Sequence, residues 1–415
     1  MTREKIPEWL GRLGARERVT SAGLDTLQSK FVANVSYRHS EELMNESLNR
    51  SAEEERFESR TLCRRAERIG KEMKAGLERQ SREILDSYGI GDGAEDSHIE
   101  AEKREPQGTQ WRYEEKEVRK IAEEYNRNHE DADERISEAA IQHVYEKAEC
   151  ATYICPDDIG VHKQKEHRKS TRQAEQGETE KKQRQYIENT VISVHMQGAG
   201  DEAYRTRYFA GVGMRMVFFW TLAFLLASGN LREKKLIIFS DGAANIRTTV
   251  KDVFGFRPYE INLDWFHLRR KLEQMLSMGI CDSEKRKEML CKLTRILWAG
   301  NVDFALKYIE GIDPEYIKSK NALDKLKTYL NKHQAEIPCY AIRKKLGLRN
   351  SSQSAESANY TVVATRQKAS GMSWSNTGSE ALTIIRAAYE NGEIDNWFRT
   401  RSFSMLNNPL SHKTA

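Results

Sequence analysis

The sequence has no CxxC pair, no apolar run of membrane-spanning length and no large excess of either charge. Its six cysteines, at 63, 150, 155, 281, 291 and 339, form no regular framework. A chain of 415 residues has length enough for two or three domains and a real hydrophobic core, so it needs no disulfide staples. Free thiols in a reducing cytosol are expected, and a zinc site built from these scattered cysteines is disfavoured. The most apolar stretch, 216–227, falls far short of the ~20 residues a membrane span requires and reads as a buried helix. MTREKIPEWLGRLGARERV at the N-terminus has no apolar core of signal-peptide length, so the expected location is cytoplasmic and nucleoid-associated, with no membrane partner. Net charge is only +4 although 31% of residues are charged, so any nucleic-acid binding must come from local basic patches.

What is present changes character along the chain. Residues 1–148 are almost all helix-forming and charged, punctuated by GIGDGAED and by PQG near Pro106. Within 111–149, VRKIAEEY and ISEAAIQHVYEKA read in one version as the two helices of a DNA-reading helix-turn-helix. The segment between them, NRNHEDADER, is acidic and longer than a tight turn, and a plain helical accessory domain is the other reading.

At Ala151 strands begin. ATYIC ends at Pro156-Asp157-Asp158, and the charged stretch HKQKEHRKSTRQAEQGETEKKQRQ follows. NTVISVHMQ and AYRTRYFAGVG read as a second and third strand, with Gly200 and Asp201 just before the third. MRMVFFWTLAFLLASGN is one buried helix, and KKLIIFS is a continuous apolar strand of the kind covered on both faces. AANIRTTVKDVFG is a short helix and YEINLDWF a fifth strand. A doubly wound nucleotide-binding domain would alternate from the start and carry a Gly-rich loop after its first strand, and there is none. The order βββαβαβ is instead the layout of an RNase H-like α/β fold with a mixed sheet, here spanning 149–267. Residues 268–345 have helical spacing of Leu, Met, Ile and Trp and read as an all-α insertion. Residues 346–400 supply a last core helix and an amphipathic C-terminal helix, SEALTIIRAAYENGE, before a flexible tail at 401–415.

Carboxylates at strand ends suit one chemistry. Phosphodiester cleavage and transfer use two divalent ions about 3.5–4 Å apart, and Mg²⁺ prefers oxygen ligands, so a few acids on rigid elements suffice. Asp157 shares a strand face with Tyr153 and Cys155, while Asp158 points the other way with Ile154; one of the two is expected to be a ligand. The other role open to either is a turn aspartate before Gly160. Asp241, in Ser-Asp-Gly-Ala, is either a helix N-cap or a ligand at the strand's C-terminal edge, with Gly242 permitting close approach. Asp264 and His267 form a D-x-x-H pair without a visible third or fourth zinc ligand, and are expected to support the site from the side. Glu356 begins a helix whose stripe of Asn359, Val363, Arg366 and Gln367 faces either DNA or solvent. In the DNA-facing version Glu356 reaches metal and Arg366 a phosphate. Glu380 is the competing third acid, but it opens an amphipathic helix and reads as a first-turn carboxylate.

PDDIGVHKQKEHRK, IIFSDGAANIR, INLDWFHLRRKL and SAESANYTVVATRQKASGMSW resemble the conserved blocks of bacterial insertion-sequence DDE transposases, a loosely Mutator-like branch. The resemblance runs from about Ala151 to Phe398. It implies an RNase H-like core with an α-helical insertion between its fifth strand and last core helix. The family's acids fall on Asp157, Asp241 and Glu356, its D/C-x-x-H motif on Asp264 and His267, and its E-x-x-N…R…G-x-x-W block on Glu356, Asn359, Arg366, Gly371 and Trp374. Where the family commonly has Asp-Gly, this chain has Asp157-Asp158, which leaves either as the ligand, and Pro156 is unusual for a strand. The resemblance implies two Mg²⁺ or Mn²⁺ ions, cleavage at transposon ends, and attack of the freed 3′-hydroxyl on target DNA. The implied partners are double-stranded DNA, as terminal inverted repeats and target, and further copies of the chain in a homodimer or larger assembly. Phosphate contacts are expected from Lys163, Lys165, Arg168 and Lys169, from Lys181–Arg184, from Arg269, Arg270 and Lys271, and from Arg343–Lys345, with steep salt dependence.

Overall fold

The computed structural model describes residues 21–50, 56–90, 111–164, 185–196, 205–351 and 353–407. They form an α/β structure, mostly helical, around one five-stranded mixed sheet of order β3-β2-β1-β4-β5. β1 (Ala151–His162), β2 (Tyr186–Met196) and β3 (Arg205–Gly211) make an antiparallel meander; β4 (Lys235–Ser240) and β5 (Glu260–Leu263) add to it in parallel with β1. Before the sheet come α1 (Ala22–Asn34), α2 (Tyr37–Ser47), α3 (Ser59–Ser87), α4 (Glu115–Arg127) and α5 (Glu138–Gln142). α6 (Met214–Ala227) and the one-turn α7 (Asn230–Glu233) lead into β4, and α8 (Ala244–Phe254) into β5. Next are α9 (Trp265–Gly279), α10 (Ser283–Trp298), α11 (Val302–Glu310), α12 (Lys320–Lys332) and α13 (Tyr340–Lys345). α14 (Gln353–Asn359) continues through a π-helical turn at Tyr360–Ala364 into α15 (Thr365–Gln367), followed by α16 (Asn376–Glu390) and α17 (Ile394–Thr400).

Alternation sorts the sheet. Ile154, Ile192, Val194, Leu236 and Ile238 bury one face against α6 and α8, whose Val217, Phe218, Ile246 and Val250 are fully covered. The stripe Leu62, Ala66, Ile69, Met73 and Leu77 brings α3 against α16 and α6, each buried Leu, Ile or Met side chain contributing about 2 kcal/mol. Gly70 permits that crossing: a Cβ there would stand 2.5 Å from that of Ala381. The first three helices therefore have no core separate from the sheet's. α4 and the segment to Tyr145 pack elsewhere, with Val118, Ala122 and Ile141 against Cys339, Ala341 and Ile342. α9 to α12 enclose a second core of Leu268, Leu272, Leu276, Leu293, Ile296, Leu326 and Leu330.

Four boundaries differ from the sequence reading. β1 runs to His162 instead of ending at Pro156; β4 pairs it only from Ala151 to Ile154, so at Pro156 the strand has a neighbour on one side alone. β5 stops at Leu263, because the Asp264 side chain accepts the His267 N–H and caps α9, drawing Trp265 and Phe266 into helix. The second helix of the supposed helix-turn-helix is five residues long, α5, with Arg112 bridging Glu146 beyond it, so the motif lacks a recognition helix. The segment after Thr400 is not a free tail as far as Asn407: Phe403 and Leu406 are buried, and Phe403 packs on Trp397. Residues 408–415 lie outside the described residues, as do Gly200 and Asp201. No described helix is long and apolar enough to cross a membrane.

Candidate active site

The parallel register aligns the acids. β1 and β4 pair from Ala151↔Lys235 to Ile154↔Ile238, and Asp157 and Asp241 each stand three residues past the last pair, level and on one face. β4 and β5 pair to Ser240↔Leu263, which sets Asp264 beside Asp241, its N–H donating to the Ser240 carbonyl at 2.8 Å. Asp241 and Asp264 thus follow the ends of β4 and β5 directly, and Asp157 stands mid-strand in β1, just past the point where β1 and β4 part. Asp241 is not the cap of α8. Its Oδ1 accepts the Ala243 N–H at 2.8 Å, in a turn where Gly242 takes φ +89°, and Ala243 occupies the cap position.

Asp157 and Asp158 face opposite ways. Asp157 Oδ1 accepts the Asp158 N–H at 2.9 Å and its Oδ2 accepts the Asn359 amide at 2.7 Å. Burial above all, with the Asp241 charge adding, pushes the Asp157 carboxyl up to about 6, against the Asp158 N–H and His267. Asp158 accepts the Thr190 hydroxyl at 2.6 Å and the Asn245 amide at 3.4 Å. Its carboxyl is also raised, by burial first and then by Glu188 and Asp241.

α14 packs on β1 and β2 and carries Asn359 onto Asp157. The Asn359 side-chain oxygen, Oδ1, is buried and has no hydrogen-bond partner among the described residues. Glu356 lies one turn earlier on the same helix and is exposed. The rest of the supposed DNA-facing stripe is interior. Val363 is fully buried, and Arg366, 3% exposed, donates through Nε to the Val32 carbonyl at 2.9 Å and lies over the Tyr37 ring. Gln367 bonds Ser379 and Thr383. Arg366 is therefore not a phosphate ligand: it ties this helix to α1. Gly371, at φ +77°, leads the chain back so that Trp374 pairs with the end of β1, its N–H on the His162 carbonyl and its carbonyl on the Gln164 N–H.

His267 donates a ring nitrogen to Asp264 Oδ1 at 3.1 Å, and Asp264 first, then Asp241 and Asp157, raise its pKa. Among the described residues no group of three His, Cys, Asp or Glu side chains is gathered closely enough to cage an ion. Glu380 is bound to Lys74 at 2.6 Å in the packing of α16 on α3, past the first turn of its helix, which begins at Asn376 and not at Ser379. Of the basic residues, Arg269 and Arg270 are exposed on α9, Arg269 pairing with Glu273, and Lys271 lies over the Tyr329 ring at 5.7 Å. Lys163 bridges Trp374. Arg343 is buried, held on the Arg349 carbonyl and Glu260, and so is not available to phosphate. Lys165, Arg168, Lys169 and Lys181–Arg184 lie outside the described residues.

Sequence reasoning missed the wall over Gly242. A Cβ on that glycine would meet the Tyr329 hydroxyl at 3.1 Å and His333 Cε1 and Nε2 at 3.2 and 3.3 Å, so the insertion abuts the Asp241 turn. The spacing of Tyr329 and His333, one turn apart, carried no signal of this. The carboxylates of Asp157 and Asp241 offer oxygen donors, which suit a hard divalent cation, with the His267 ring beside them. A cation between Asp157 and Asp241 would offset the burial of the Asp157 charge, the main cause of its raised pKa, and the smaller repulsion from Asp241.

No family model matches the chain, and no curated protein matches it. Among solved structures it is similar to the Drosophila P element transposase strand transfer complex, at 9% identity and a TM-score of 0.26, over 97% of this chain and 87% of that one. A likeness that slight carries no argument about fold or function.

Proposed function

We propose that the chain is a metal-dependent DNA transposase of the DDE kind, built on an RNase H-like core, that cleaves transposon ends and transfers them to target DNA. The observation that carries this reading is that Asp157 and Asp241 each stand three residues past the last β1–β4 pair, Ile154↔Ile238, close enough for the Asp241 charge to raise the Asp157 carboxyl. The meander-then-alternation order of the sheet and the helix bearing Glu356 and Asn359 support it.

Asp157, Asp241 and Glu356 would hold Mg²⁺ or Mn²⁺, which when bound neutralises charge on the phosphate and on the attacking and leaving oxygens. Asn359 keeps the Asp157 carboxylate oriented, and Asp264 orients His267 beside the acids. Glu356, exposed one turn before Asn359, would supply the third carboxylate. Arg269, Arg270 and Lys271 would meet the DNA backbone from α9, and pairing two ends would bring together two copies of the chain.

The test is cleavage of labelled DNA carrying the element's terminal repeats in Mn²⁺. Asp157→Asn, Asp241→Asn and Glu356→Gln should each lower the rate by more than about a hundredfold in folded protein. Full activity in Asp241→Asn rejects the reading. DNA binding without cleavage by the unaltered chain favours a non-cutting DNA-binding relative.

A further inference from the structure

The α-helical insertion reaches the acid edge through one buried cluster. His333 is 1% exposed, at the C-terminal end of α12, and its Nδ1 lies 2.6 Å from Glu336 Oε2. The other oxygen of Glu336 binds Arg247 Nε of α8 at 2.8 Å, in the helix that follows the Asp241 turn. With its Nδ1 proton committed to a carboxylate, the ring presents Nε2 and Cε1 to Gly242. The Tyr329 ring lies 4.6 Å away, with its hydroxyl beside the same glycine. A hydrophobic core alone would dock the insertion without burying a histidine and a glutamate. This pair instead spans from the insertion to the turn that bears Asp241.

We propose that His333 is a positioning residue for Asp241: its ring walls the Gly242 turn, and the Glu336–Arg247 ion pair fixes the ring, so the insertion sets how the Asp241 carboxylate meets a divalent cation. This rests on the reading of Asp241 as a metal ligand. It gives the insertion a part in the chemistry, because a helix outside the sheet then tunes a ligand within it.

The experiment measures Mn²⁺ binding to the full chain without DNA, by electron paramagnetic resonance, alongside thermal unfolding. His333→Ala, and Glu336→Gln as a variant that keeps shape, should weaken Mn²⁺ binding by about tenfold or more. Leu326→Ala, in the insertion's own core, should lower the unfolding temperature and leave Mn²⁺ affinity unchanged. The proposal is overturned if folded His333→Ala and Glu336→Gln bind Mn²⁺ as the unaltered chain does while Asp241→Asn does not. It is overturned equally if Leu326→Ala weakens binding as much as they do. Should Asp241→Asn itself bind normally, the metal-site reading fails and this inference falls with it.

Discussion

The Asn359 side-chain amide donates to Asp157 Oδ2 at 2.7 Å, joining residues 202 positions apart in the chain. The bond links the helix that follows the insertion to the acid of the sheet's first strand. Asn359→Ala should therefore act on Asp157. Cleavage should fall at least about tenfold, with a loss of about 1 kcal/mol in urea unfolding. Unchanged cleavage with lowered stability would make Asn359 a packing residue only.

Asp157 makes stability depend on pH, with a definite sign. Its folded value, about 6, lies above the ordinary 3.8, chiefly through burial. Between those values the folded chain keeps a proton that the unfolded chain has released, so stability falls as pH rises through the folded value. At neutral pH the charged carboxylate costs the fold on the order of 3 kcal/mol. Without divalent ions, Asp157→Asn should be more stable than the unaltered chain at neutral pH, and the gap should close on acidification below the ordinary carboxylate value. Mn²⁺ should stabilise the unaltered chain and not the variant. Urea denaturation at both pH values checks this.

Asp158 provides the contrast. Its partners are Thr190 and Asn245, on the face away from Asp157. Asp158→Asn keeps an acceptor for Thr190 and should retain cleavage within about fivefold, while Asp157→Asn loses it. The reverse ranking in one cleavage assay would move the ligand to Asp158.

Arg366 should behave as a structural residue. Its guanidinium, whose pKa burial lowers, is held by the Val32 carbonyl. Arg366→Ala should cost about 3 kcal/mol of stability and leave the DNA affinity of the folded fraction, and its salt dependence, unchanged. A shallower salt slope would return Arg366 to the DNA surface.

Much of this was readable from residue pattern, and what was not has physical reasons. Asp241 was legible because the LIIF run of β4 is apolar throughout and the strand stops at the acid. The opposed faces of Asp157 and Asp158 followed from strand alternation, but the length of β1 did not, since Pro156 argues against a strand unless the missing neighbour is known. The Glu356 helix was legible and its stripe was not: the π-helical turn at Tyr360–Ala364 shifts the register, and the partner of Arg366 lies 334 residues away. His333 and Tyr329 gain their meaning only from packing on Gly242. Periodicity within α12 says nothing of that.

The most direct test of the account is a crystal structure of the chain in Mn²⁺, with the ions located by anomalous scattering. Manganese is expected between Asp157 and Asp241, coordinated by both carboxylates, with Glu356 as the third acid. Ordered Asp157 and Asp241 side chains with no manganese at that edge would contradict it.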